Sequence, residues 1–123
     1  MVRALRGAIT AEKNEREEIL SAAAELVSEL MRANSISAED MIDIIFTVTG
    51  DLTAAFPAAG VRAMGISSVP LLDMAAPDID GALKMCIRVM IHINTDKSNS
   101  ELCHRYLKGA AVLRPDISGK ERA

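Results

Sequence analysis

Along residues 2–9, VRALRGAI, alternation puts Ala4, Arg6 and Ala8 on one side and Arg3, Leu5 and Ile9 on the other, which predicts an opening strand. The period then changes. Ile19, Ala23, Leu26, Val27, Leu30 and Met31 recur at helical spacing and predict a helix that reaches about Ala33. Asn14 stands at capping-box spacing from Glu17, and Glu15, Glu17 and Glu18 fill the first turn, where the helix dipole favours anions. Asn34 is a suitable stop. Ser37 with Asp40 predicts a second cap over a short helical turn, and IDIIFTVT (42–49), β-branched and apolar, predicts a buried strand. Gly50-Asp51 breaks it, with Asp51 placed to cap a brief helix. A further helical segment, about 58–64, follows Pro57 and ends at Gly65.

Residues 69–72, VPLL, read as a short strand at an edge, because Pro70 cannot donate to a ladder. DMAAPDIDG (73–81) reads as a loop. In 83–94, Ile87, Val89, Ile91 and Ile93 alternate with Arg88, Met90, His92 and Asn94, a strand with one oily face and one face holding Arg88. A polar turn at 96–101, a short helix over 101–108 leading to Tyr106, and a last strand AAVLR (110–114) complete the pattern; from Pro115 a polar tail is expected to be mobile. The elements predict one α+β domain over 1–123, a mixed sheet of four or five strands with helices on one face. One long helix is too little to cover both faces, so the pattern also predicts oligomerisation.

Composition removes several functions. The chain has 123 residues and a formal net charge of -3, so no basic field draws nucleic acid or an acidic membrane. No apolar run is long enough for a signal peptide or a membrane span, and the expected location is the cytoplasm. Cys86 and Cys103 form no CxxC pair and read as two buried free thiols, not as a metal or redox site. No GxSxG, Walker, HExxH or GxGxxG motif occurs, and His92 and His104 stand alone as structural or surface residues. What remains is arginine: Arg6, Arg88 and Arg114 on or beside short apolar strands, and Arg62 on a helix. Guanidinium is costly to bury without an anion and grips carboxylates with two parallel bonds. Each such Arg alone also reads as a salt bridge or a solvent-reaching side chain; together, with Tyr106 as a further donor, they point to a pocket for a small dianion.

The blocks VRALRGAIT (2–10), DLTAAFPAAGVR (51–62), VP (69–70), DIDGALKMCIRVMIHINTD (78–96), Tyr106 and VLRPD (112–116) resemble the monofunctional chorismate mutases of the bacillus type, over nearly the whole length. The resemblance implies homotrimers with a barrel-like core and an active site at each subunit interface. It implies an isomerase of aromatic amino-acid biosynthesis that turns chorismate into prephenate by a Claisen rearrangement, with no cofactor and no metal. By resemblance, Arg88 meets the ether oxygen and Arg6 holds the side-chain carboxylate with support from Tyr106. Phe56, Leu72 and Leu113 line the pocket, and Arg62 and Arg114 lie near its mouth. The family pattern has Cys where Asp73 stands and Glu where Ala76 stands; the expectation is that Asp73 takes over the glutamate's role. Leu72, often Thr in the family, and Ala59, which stands where Lys is found, are further departures. A trimeric protein that binds a carboxylate metabolite without chemistry is the alternative, favoured by the missing glutamate. An imine deaminase-like trimer also places an Arg at an interface, but the AAFPA and CIRVM blocks argue against it.

Overall fold

The computed structural model of the chain describes residues 1–118. The elements follow in the order β1 (Val2–Thr10), α1 (Arg16–Asn34), β2 (Met41–Val48), α2 (Ala58–Ala63), β3 (Leu71–Ala75), β4 (Cys86–Asn94), β5 (Arg105–Leu107) and α3 (Pro115–Ser118), with 3-10 turns at Ala38–Asp40, Asn99–Glu101 and Lys108–Leu113. The strands form one mixed sheet in the order β3-β2-β4-β1-β5, so the expected α+β class and mixed sheet are found, with five strands. β4 is central and antiparallel to both β1 and β2, while the two edges, β3 and β5, pair parallel to β2 and β1.

The two longer helices, α1 and α2, lie on one face. Leu5 and Ile9 of β1, Ile44 and Phe46 of β2 and Ile87, Val89, Ile91 and Ile93 of β4 are buried there with Ile19, Leu26, Val27 and Leu30 of α1. Close approach sets this packing. A Cβ on Gly7 would meet the Arg105 carbonyl oxygen at 2.8 Å and Leu26 at 3.0 Å; one on Gly60 would collide with the Leu20 carbonyl oxygen. β1 therefore slides beneath α1, and α2 leans backbone to backbone on α1.

Several sequence expectations are corrected. Asn14 does not cap α1; the cap position is Glu15, without a side-chain bond, and Asn14 instead accepts from the Thr53 and Ala54 amides. Asp51 caps no helix and accepts from the Met85 amide and the Thr49 hydroxyl. The predicted edge strand is displaced: β3 begins at Leu71 and includes Asp73, Met74 and Ala75, which read as loop, because parallel pairing with Ile44–Val48 gives this stretch ladder partners. β4 starts at Cys86, not at 83, since Met85 takes a positive φ of 55°. The helix expected over 101–108 is absent: after the 3-10 turn at Asn99–Glu101, Arg105–Leu107 pairs with the free edge of β1. AAVLR is not a strand; Lys108, at φ 53°, turns the chain out of the sheet and 108–113 coils as 3-10 turns. Both cysteines are free, but only Cys86 is buried. The expected mobile tail opens with the helical turn α3, and its residues 119–123 lie outside the described residues.

Candidate active site

The sheet face away from α1 carries the polar positions. Strand register places them in rows, because side chains one residue apart point to opposite faces. One row runs Met74, Thr47, Arg88, Ala8 and Tyr106 across all five strands. The adjacent row holds Leu72, Ile45, Met90 and Arg6. Arg6 and Arg88 are thus diagonal neighbours across β1 and β4, about 7 Å apart at the backbone. Arg6 is steered toward β4, its Nε donating to the Val89 carbonyl at 3.1 Å.

Arg88 is half-buried between Thr47 and Ala8, two side chains too small to cover it, and it makes no hydrogen bond or ion pair among the described residues. Beyond Ala8 the 3-10 segment folds back over this face. Ala8, Cys86, Tyr106 and Ala110 form a small second cluster, with Leu83 and Leu113 against it. This cover brings Leu113 and Arg114 beside Tyr106. The Arg114 guanidinium is engaged, donating to Asp116 at 3.1 and 2.9 Å, and Asp116 first, then Tyr106, hold it protonated more firmly than usual. Burial pushes the Cys86 thiol up, against the pull of nearby Arg88, which disfavours the nucleophilic thiolate.

The other predicted site residues lie elsewhere. Asp73 is opposite Phe46 and so points to the helix-bearing side, at the β3 edge. Its Oδ1 accepts from the Ala58 amide at 3.1 Å, at the start of α2. Burial raises the Asp73 pKa, and the Ala58 N–H and the Arg62 charge oppose that rise. Asp73, Phe56 and Ala59 line a depression of about 460 Å³ together with Arg16, Leu52 and Met74. Phe56 is 70% exposed, Leu72 54% and Met74 50%. Ala76 supplies no carboxylate; its amide extends the β2–β3 pairing to the Val48 carbonyl.

Within one chain the candidate residues therefore form two surfaces. Arg6, Arg88, Tyr106, Leu113 and Arg114 share the first; Phe56, Arg62, Leu72 and Asp73 gather around the β3 edge. Arg88 and Asp73, paired in expectation, stand on opposite sides of the sheet. Sequence reasoning read His104 only as a structural or surface residue, without its bond from the Arg6 backbone N–H to Nδ1 (3.0 Å), and did not single out Arg105, buried and paired with Glu29. Both vanish once 101–108 is read as a helix; alternation of His104 with Tyr106 was the available signal.

Among the described residues no group of three or more His, Cys, Asp or Glu is arranged to hold a metal, and no helix is long and apolar enough to cross a membrane. The fold and its arginines define a class: a mixed-sheet α+β protein with two half-buried cations, Arg6 and Arg88, side by side on one sheet face. The chain matches the family model for chorismate mutase type I over residues 2–117. It is 40% identical over 119 residues to chorismate mutase AroH of Bacillus subtilis (strain 168), covering 96% of this chain and 94% of that one. It is 43% identical over 122 residues to chorismate mutase AroH of Thermus thermophilus, covering 98% and 100%. A solved chorismate mutase from Clostridium thermocellum superposes with a TM-score of 0.88 at 46% identity, covering 89% of this chain and 98% of that chain. The chain belongs to the type I chorismate mutases.

Proposed function

We propose that the chain is an isomerase of aromatic amino-acid biosynthesis, rearranging chorismate to prephenate at sites that neighbouring copies build together in a homotrimer. The observation that carries this reading is Arg88, a half-buried cation without a partner among the described residues on the sheet face away from α1, which the 3-10 segment covers only in part. Exposed Leu72 and Met74 on that face, and Phe56 at its border, supply apolar surface for a second copy. A neighbour seated there would bring its Asp73, Phe56, Arg62 and Leu72 to the first copy's Arg6, Arg88, Tyr106, Leu113 and Arg114. Such a head-to-tail contact closes into a ring, and the family resemblance favours three members.

The reaction breaks one ether C–O bond and forms one C–C bond inside a single molecule. It needs no nucleophile, base or metal, so charge and shape do the work. Negative charge grows on the ether oxygen, where the Arg88 guanidinium meets it in a site closed to water. Arg6, steadied by its bond to the Val89 carbonyl, grips the side-chain carboxylate, and Tyr106 supports it. Asp73 accepts from the ring hydroxyl and faces the positive ring, in place of the family's glutamate. Phe56, Leu72 and Leu113 hold the compact conformer, with Arg62 and Arg114 at the mouth. A million-fold acceleration requires about 8 kcal/mol, of which one oriented cation supplies several. Two free thiols suit the reducing cytoplasm as the location.

The test is direct: protein is added to chorismate and the fall in its absorbance is followed, with Arg88→Lys as control. Turnover by the native chain and a fall of about a hundred-fold in the variant are expected. Saturable binding without turnover would instead assign the chain to carboxylate-metabolite binding, the reading that Ala76 favours.

A further inference from the structure

His104 is the one histidine that touches the backbone of a candidate substrate residue. The β1–β5 ladder pairs only Gly7–Ile9 with Arg105–Leu107. Arg6 lies one residue before it, and its amide donates to the His104 imidazole at 3.0 Å instead of to a carbonyl. The ring thus lengthens the ladder by one rung, under the residue that carries a gripping guanidinium. A backbone N–H only donates, so Nδ1 must be an unprotonated acceptor, and the ring proton sits on Nε2.

The backbone of His104 is held from the other side. Buried Asn34 donates to the Cys103 carbonyl and accepts from the Cys103 amide, both at 2.8 Å. Arg105 donates to the His104 carbonyl and to Glu29, both at 3.1 Å. With its own main chain anchored to α1, His104 presents its imidazole from a fixed point, and the Arg6 amide is what the ring holds. Burial first, then the charges of Arg114 and Arg6, keep the ring neutral. The charged groups around it are Arg6 on β1, Arg105 on β5, and Arg114 with its partner Asp116.

We infer that His104 is a positioning residue for substrate binding: its neutral imidazole fixes the Arg6 backbone and ties it to the strand carrying Tyr106. This rests on the reading that Arg6 holds the substrate carboxylate. Protonation sets N–H against N–H and adds a further cation beside Arg6, Arg105 and Arg114, so the tie breaks as pH falls through the titration of this histidine.

The test is steady-state kinetics on chorismate across the histidine range for the native chain, H104N, H104Q and R6A. An asparagine oxygen falls near the place of Nδ1, and a glutamine carbonyl does not. H104Q is expected to raise KM about ten-fold with kcat within about two-fold, while H104N keeps KM within about two-fold of the native value. Native KM should climb at acid pH, and H104N should lack that climb. The inference is overturned if H104N shows the native acid climb, or if H104Q leaves KM unchanged while R6A raises it. If H104Q does not fold, the comparison of H104N with the native chain decides alone. An R6A enzyme with unchanged KM would remove the reading of Arg6 itself, and this inference with it.

Discussion

Arg88 owes its availability to its neighbours. Thr47 and Ala8 flank it, and neither reaches over the guanidinium. A larger residue at either position would cover the charge, and a carboxylate would neutralise it. Truncation by Arg88→Ala is expected to lower kcat about a thousand-fold with little change in melting temperature, since no partner among the described residues is orphaned. Arg88→Lys keeps the charge but loses the planar fork, and turnover should fall about a hundred-fold; both follow from chorismate assays beside thermal melts. Asp73 has the opposite character. Its pKa is raised by burial, so the folded chain binds the proton more tightly than the unfolded chain. The stabilisation from protonation is fully present below the unfolded pKa and is lost as pH rises through the raised folded value. At neutral pH the charge therefore costs stability, and Asp73→Asn, which keeps an acceptor for the Ala58 amide, should melt no lower than the native chain while its kcat drops. An Asp73→Asn enzyme with full kcat would sink the assignment of the family's carboxylate role to Asp73. Arg88 was legible from the alternation of β4 alone. The place of Asp73 was not, because Pro70 and the aspartates made 73–81 look like loop while the partner that makes it strand lies on β2.

At the scale of elements, the short edge strand β5 depends on long-range clamps. Arg105 is buried and its guanidinium meets Glu29 of α1 at 3.1 Å, with Arg32 on the same carboxylate. The Arg32 bond first, with Arg105 also contributing, holds the Glu29 pKa down to about 2 against the rise from burial. A depressed carboxylate stabilises above its unfolded pKa, and that contribution is lost as pH falls toward about 2. Glu29→Gln should cost about 1 kcal/mol at neutral pH, and the gap from the native chain should close on acidification, as urea melts at several pH values would show. The α1–α2 contact is tighter still. Gly60→Ala drives a methyl into the Leu20 carbonyl and should cost about 3 kcal/mol, shifting α2 and with it Arg62 and the Ala58 amide. Long elements announced themselves: α1, β1 and β4 each repeat a period over eight or more residues, and β2 is a β-branched apolar run. β5 has three residues and no period, and AAVLR has strand composition without an edge to join. Those segments take their form from tertiary pairing, which local pattern does not carry.

At the scale of the whole molecule, one sheet face is covered by helices and the other is not. The sequence already implied this imbalance, because one long helix cannot shield two faces. The structure adds the division of the candidate site: Arg88 lies on the open face and Asp73 on the far side, at the β3 edge. A self-sufficient subunit would have them together. Separation by the sheet makes sense if Arg88 of one copy meets Asp73 of the next. The decisive measurement mixes two inactive chains, Arg88→Ala and Asp73→Ala, by refolding them together in equal amounts and assaying chorismate turnover. A shared interface site predicts that about a quarter of the sites pair an intact Arg88 with an intact Asp73, so about a quarter of native activity returns. If the mixture assembles normally yet stays as inactive as its components, the two residues act within one chain and the account is wrong.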